Sequence, residues 1–181
     1  MPLLSPLEIR RLKLKTIPAG LLKEFAERSG IHVSGSVASV AETLAKKISE
    51  DASIEAFIKE KYVERVQERQ RFISDDEIKN ELSKVEQFSW GVVQGQLDQK
   101  IQVEYVRKIA KYDDLIKAVK TKLHGDITHY TICSWFNHWT TVLIEDHIFL
   151  HPRIVPTLKN AKGIDLFFDS QPFDLKITYL P

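Results

Sequence analysis

Asp165, Asp174 and Lys176 are the residues whose types and spacing could do chemistry. Two carboxylates can hold a hard divalent cation such as magnesium, which takes oxygen ligands and keeps several of its waters. Such a cation lowers the pKa of a bound water and stabilises the charge that builds on a phosphate. A lysine within reach can orient that water or carry part of the charge. The chemistry these three imply is metal-assisted hydrolysis of a phosphodiester.

A β-hairpin would have to position them. Two apolar runs rich in aromatic and β-branched residues, 164–168 and 173–180, flank the turn signal Asp169-Ser170-Gln171-Pro172. In the second run Phe173, Leu175, Ile177 and Tyr179 take one face, and Asp174, Lys176 and Thr178 the other. A four-residue turn that closes symmetrically sets Asp165 roughly opposite Lys176, on the side of the sheet that carries Asp174. An ordinary amphipathic hairpin with a solvated Asp174–Lys176 pair has the same pattern.

Asp165, with Asp174-Leu175-Lys176 beginning nine positions later, resembles the PD-(D/E)xK core of restriction endonucleases and related DNA-cleaving enzymes. Ile164 stands where the name-giving proline would be, a departure many members of that family share. The resemblance implies a magnesium-dependent DNA endonuclease of a restriction or defence type. Asp165 and Asp174 would bind the metal, and Lys176 would position the attacking water. Such cores often add a glutamate from the helix before the sheet; Glu104 is the first candidate for it, as a further metal ligand, and Glu86 the second. Cutting both strands needs two sites, so a homodimer or a partner chain is expected. The family usually continues with more helix and strand, which implies additional sequence, a partner chain or a sheet completed by earlier strands.

Composition sets the outer bounds. The 181 residues suffice for one sizeable core or two small ones, and no run of about 18 apolar residues predicts a membrane span. The single cysteine, Cys133, leaves no disulfide within the chain and fits a cytoplasmic, reducing setting. It falls in a strand-like run, where a buried structural thiol is expected. A net charge of +1 argues against a uniformly basic nucleic-acid binder, but not against a basic groove balanced by acidic metal ligands.

The N-terminal part reads as helical. Ser5-Pro6-Leu7-Glu8 is a capping box with proline at the first helical position. It opens a helix whose Arg10, Arg11, Lys13 and Lys15 make a basic face, either solvated or turned to phosphates. A helix from Pro18 stops at Gly30, residues 31–36 are extended, and a second helix follows from about Val37. This layout, carried by Gly30-Ile31-His32-Val33-Ser34-Gly35, resembles the SAP domain, a helix–extension–helix DNA-binding module. SAP domains commonly carry a basic residue where this chain has Val37.

Residues 51–71 repeat apolar side chains at helical spacing (Ile54, Phe57, Ile58, Tyr62, Val66), and Ser74-Asp75-Asp76-Glu77 is a second capping box. A further helix is predicted from Asp113 to Leu123, ending at Gly125. Beyond Asp126, residues 128–135, 140–144 and 147–150 are rich in β-branched and aromatic residues. They read as strands joined by turns at Asn137-His138 and Glu145-Asp146. His147 and His151 would then sit on one strand face about 13 Å apart, too far for one zinc. Gly-rich phosphate loops and nucleophile elbows are absent from the sequence.

The expected fold is α+β, a helical SAP-like region over 1–73 and a nuclease-like, antiparallel-rich core over 74–181. Two other readings stay open: an inactive DNA-binding or assembly module with a nuclease-like fold, and a scaffold that binds protein.

Overall fold

The structure, a computed structural model, describes residues 4–85 and 94–176. The fold is α+β, mostly helical with one small antiparallel sheet. Among the described residues, eight α-helices precede three strands: α1 (Pro6–Lys15), α2 (Ala19–Arg28), α3 (Val37–Lys47), α4 (Asp51–Phe72), α5 (Asp75–Ser83), α6 (Gln94–Lys100), α7 (Tyr112–Ala118) and α8 (His124–Phe149), then β1 (Ile154–Ala161), β2 (Ile164–Phe168) and β3 (Gln171–Phe173). The chain divides into two compact units. One joins Met1–Phe72 to Glu145–Pro181, and the other is Ile73–Ile144.

The first unit is built on local signals that agree with its packing. Ser5 and Glu8 form the capping box of α1, and Ser36 caps α3 by accepting from the Ser39 amide at 3.2 Å. Gly30 and Gly35 take positive φ of 64° and 95° on either side of the extension between α2 and α3, a conformation glycine adopts without a Cβ penalty. The α4 residues Ile54, Phe57, Ile58, Tyr62 and Val66 are all buried. Two apolar clusters result. The larger combines Leu14, Ile17, Leu22, Phe25, Leu44, Ile54 and Ile58 with Val155 and Phe167 of the sheet. The smaller joins Tyr62, Val66 and Phe149 to Ile154 and Leu166.

The sheet order is β1-β2-β3, all antiparallel. Phe168 pairs with Gln171, so the hairpin closes through a two-residue turn, Asp169-Ser170, both at positive φ (46° and 65°). That is the primed geometry whose twist suits a tight hairpin. The expected four-residue turn is thereby corrected. Gln171 and Pro172 belong to β3, where proline is tolerated because the strand is an edge. β3 ends at Phe173, so residues 174–176 are not strand, and residues 177–181 lie outside the described residues.

The second unit holds α5, whose Ser74–Glu77 capping box forms as expected, then α6, π-helical turns at Ile101–Val106 and Val119–Leu123, α7 and most of α8. Here the strand expectation fails. Residues 128–135, 140–144 and 147–149 lie in one helix, which runs through Gly125 without stopping. The β-branched and aromatic bias costs only a few tenths of a kcal/mol per residue in a helix, and no proline interrupts the run. The Thr128 and Thr131 hydroxyls satisfy themselves on carbonyls four residues back, at 2.8 Å each. Cys133 is accordingly half-buried on a helix. His147 lies in α8 and His151 beyond its end, which removes the strand-spacing argument about them. Glu86 lies outside the described residues.

Candidate functional site

The β1–β2 ladder has a single irregularity, and it sits at Asp165. Pro156 pairs with Leu166 and Ala161 with Ile164, which leaves residues 157–160 of β1 facing Asp165 alone. A bulge of this kind breaks the ladder locally and re-aims side chains, and bulges concentrate beside functional sites. Thr157, Lys159 and Asn160 consequently line a crevice of about 90 Å³ together with Asp165, Arg65 of α4, and Glu145 and Phe149 of α8.

On the other side of Asp165, the tight turn decides its neighbour. One further step in the β2–β3 register brings Asp165 beside Asp174, not opposite Lys176 as a longer turn would have done. The Leu175 amide donates to Asp165 Oδ2 at 2.8 Å, tying the segment after β3 to the carboxylate. Lys176 Nζ lies 2.8 Å from Asp174 Oδ2 and 3.1 Å from Oδ1. The three residues predicted from sequence are thus brought together, with Asp165 half-buried and the Asp174 and Lys176 side chains exposed.

The electrostatics follow from that geometry. The hydrogen-bonded Lys176 ammonium holds the Asp174 carboxyl below the usual carboxylate range, and a hydrogen bond shared with Asp165 acts in the same direction. The Lys176 ammonium is raised by the same carboxylate. The Lys176 ammonium thus favours the ionised form of Asp174, the form a metal ligand requires.

The α4 side of the crevice is braced. Arg65 stacks its guanidinium 4.4 Å from the Tyr62 ring centroid. The Tyr62 hydroxyl donates to Asp146 at 2.7 Å, and Arg69 meets the same carboxylate at 2.7 Å. Burial first, and Asp146 second, push the Tyr62 phenol far up, so it stays protonated and a donor. Asp146, expected in a turn, is therefore a helix residue that anchors α8 to α4.

Glu104 is an exposed residue of the π-helical turn Ile101–Val106 in the second unit. It lines a shallow groove with Gln96, Gln99, Lys100 and Val103. Arg65, Glu145 and Lys159 were not singled out from sequence. Glu145 was hidden by the strand reading of α8. The β-branched start Ile154-Val155 with Thr157 two residues on was the signal that could have disclosed β1, and with it Lys159.

A two-carboxylate set with Lys176 beside it suits a hard cation that keeps most of its waters. Among the described residues no group of three or more His, Cys, Asp or Glu side chains is gathered to hold a metal. No helix among them is long and apolar enough to cross a membrane. No family model, curated protein or solved structure matches the chain.

Proposed function

We propose that the chain contributes the active site of a magnesium-dependent nuclease acting on DNA. The observation that carries this is the juxtaposition of Asp165, Asp174 and Lys176 opposite a bulge that presents Lys159. The arrangement resembles the PD-(D/E)xK pattern in residue type, and Arg65 and Lys159 add cations in the crevice beside Asp165. Asp165 and Asp174 would hold the magnesium ion, which supplies an acidified water and charge stabilisation at the phosphate. Lys176, which pairs with Asp174, would orient the attacking water. Arg65 and Lys159 offer donors to the phosphate oxygens. Cutting both strands requires two such sites, hence a homodimer or a partner chain, in a restriction-type role.

The family's helix carboxylate is sought first at Glu145, which shares the crevice with Asp165, and second at Glu104. Glu145→Gln and Glu104→Gln in one cleavage assay separate them. The deciding experiment is nicking of supercoiled DNA with magnesium, against Asp174→Ala and Lys176→Ala proteins. Cutting by the unaltered protein alone supports the reading. Equal inertness of all three, with DNA still bound, transfers it to a non-cleaving DNA-binding or assembly module. That second reading draws on the ion pair already formed between Lys176 and Asp174 and on the two-carboxylate count.

A further inference from the structure

Helix α1 carries a lysine with no exposed surface. Lys13 is fully buried, and its ammonium lies 2.5 Å from Glu55 Oε1, 3.5 Å from Asp51 Oδ2 and 3.2 Å from the Ser170 hydroxyl. It also stands 5.9 Å from the ring centroid of Phe167. Ser170 in turn donates to Glu55 at 3.3 Å, and Arg10 pairs with Asp51 at 2.9 Å. Two cations and two carboxylates thus form a compensated set under the β2–β3 turn. Desolvating it is costly, and such sets persist where geometry closes around every member.

The contacts of Lys13 on the sheet are specific. Phe167 is two residues after Asp165 on β2, and Ser170 is the second residue of the turn that leads to Asp174. Ser170 is a non-glycine residue at φ 65°, a conformation that needs support from its surroundings. The other turn residue, Asp169, is held by an ion pair with Arg153 and by its amide on the Arg153 carbonyl at 3.3 Å. The bulge is anchored to the same helix end, since the Leu158 amide donates to the Thr16 carbonyl at 3.2 Å. One end of α1 therefore touches both segments that decide where Asp165 and Asp174 meet.

We infer that Lys13 is a positioning residue, a buried cation that locks the Asp169-Ser170 turn and so sets Asp165 against Asp174. The N-terminal helices are on this view part of the site's framework, beyond any contribution to DNA affinity. A basic residue read as part of a surface face is spent inward, and Arg10 and Arg11 likewise pair with Asp51 and Glu42.

The inference rests on the nuclease reading for its effect on metal, but not for the lock itself, and the test separates the two. Lys13→Met, Ser170→Ala and Lys13→Arg proteins are compared with Leu44→Ala, a core change in the same unit that does not touch the turn. Amide hydrogen exchange at Leu175, whose N–H is held by Asp165, reads the lock without any catalysis. Lys13→Met and Ser170→Ala speed that exchange about tenfold or more, as local opening does when its restraint is removed, while Leu44→Ala matched for folded fraction does not. Cleavage then needs more magnesium: half-saturation rises about tenfold in Lys13→Met, stays unchanged in Leu44→Ala and is partly restored by Lys13→Arg. Unchanged Leu175 exchange in Ser170→Ala, which keeps the buried ion pairs and folds, overturns the inference. An equal shift in Leu44→Ala overturns it too. If the unaltered protein does not cleave DNA, the nuclease reading fails and the exchange comparison still decides the lock.

Discussion

The two units of this chain bury their apolar residues on different terms. In the first, α1–α4 and the sheet enclose Leu14, Leu22, Leu44, Ile54, Ile58 and Phe167, none of which is exposed. In the second, the large apolar residues buried among those described are Ile78, Tyr105 and Leu123, while Ile127, Ile132, Trp135 and Ile144 of α8 stay at least a third exposed. Apolar composition does not explain this, because α8 is among the most apolar stretches of the chain. The difference lies in layers. A helix or sheet buries its apolar face only against a second element, and the first unit supplies that partner to every element it contains. The candidate site is found where such packing can hold a strained turn and a bulge in place.

Substitutions should expose that contrast, beginning with the largest effect. On the proposed nuclease reading, Asp174→Ala or Lys176→Ala is expected to lower magnesium-dependent cleavage by about 10³-fold, the scale of removing a group aimed at transition-state charge. Because both side chains are exposed, urea unfolding should shift by less than about 0.5 kcal/mol. A large stability loss would make the pair structural and undo the assignment. Lys13→Met should destabilise the first unit by about 1–3 kcal/mol, since it leaves half-buried Glu55 without its cation and half-buried Asp51 with Arg10 alone. Calorimetric unfolding measures this, and a neutral result would mean the ion pairs are solvated.

A second pair of substitutions tests the layers directly. Leu44→Ala in the first unit should cost about 2–5 kcal/mol through the cavity it leaves. Tyr112→Ser in the second should change unfolding by less than about 0.5 kcal/mol, because that side chain is already 74% exposed. Comparable losses at the two positions would abolish the contrast.

The smallest effect concerns pH. Asp174 has a depressed midpoint in the folded chain, so its pairing with Lys176 contributes fully above the unfolded value of about 3.9 and fades as pH falls through the lower folded midpoint. Lys176 has a raised midpoint, so its share is complete below about 10.4 and is lost as pH rises through the folded value. The pair is therefore intact across the neutral range. Carboxyl NMR titration should place Asp174 below about 3.9, and Lys176→Met should move it upward. No movement would show that Asp165, not Lys176, dominates its surroundings.

Short-range signals were legible residue by residue. The capping boxes at Ser5–Glu8 and Ser74–Glu77, the stop at Gly30, the α4 stripe and the presence of a turn after Phe168 each depend on backbone conformations and hydrogen bonds within a few residues. So did the nearness of Asp165, Asp174 and Lys176, because one tight turn joins them. Residues 128–149 misled because β-branched and aromatic side chains mark strands only through the neighbours they pack against, and that packing is not local.

By itself, then, the sequence determined where α1 to α5 begin, where the hairpin turns and which ionisable groups share it. The tertiary structure alone decided that the turn holds two residues, that Asp165 faces Asp174, that a bulge brings Lys159 and Asn160 alongside, and that Lys13 points inward. The reason is physical. Caps and turns are closed by partners three or four residues away, whereas register, bulges and buried charges are settled by groups that meet from as far as 157 positions apart.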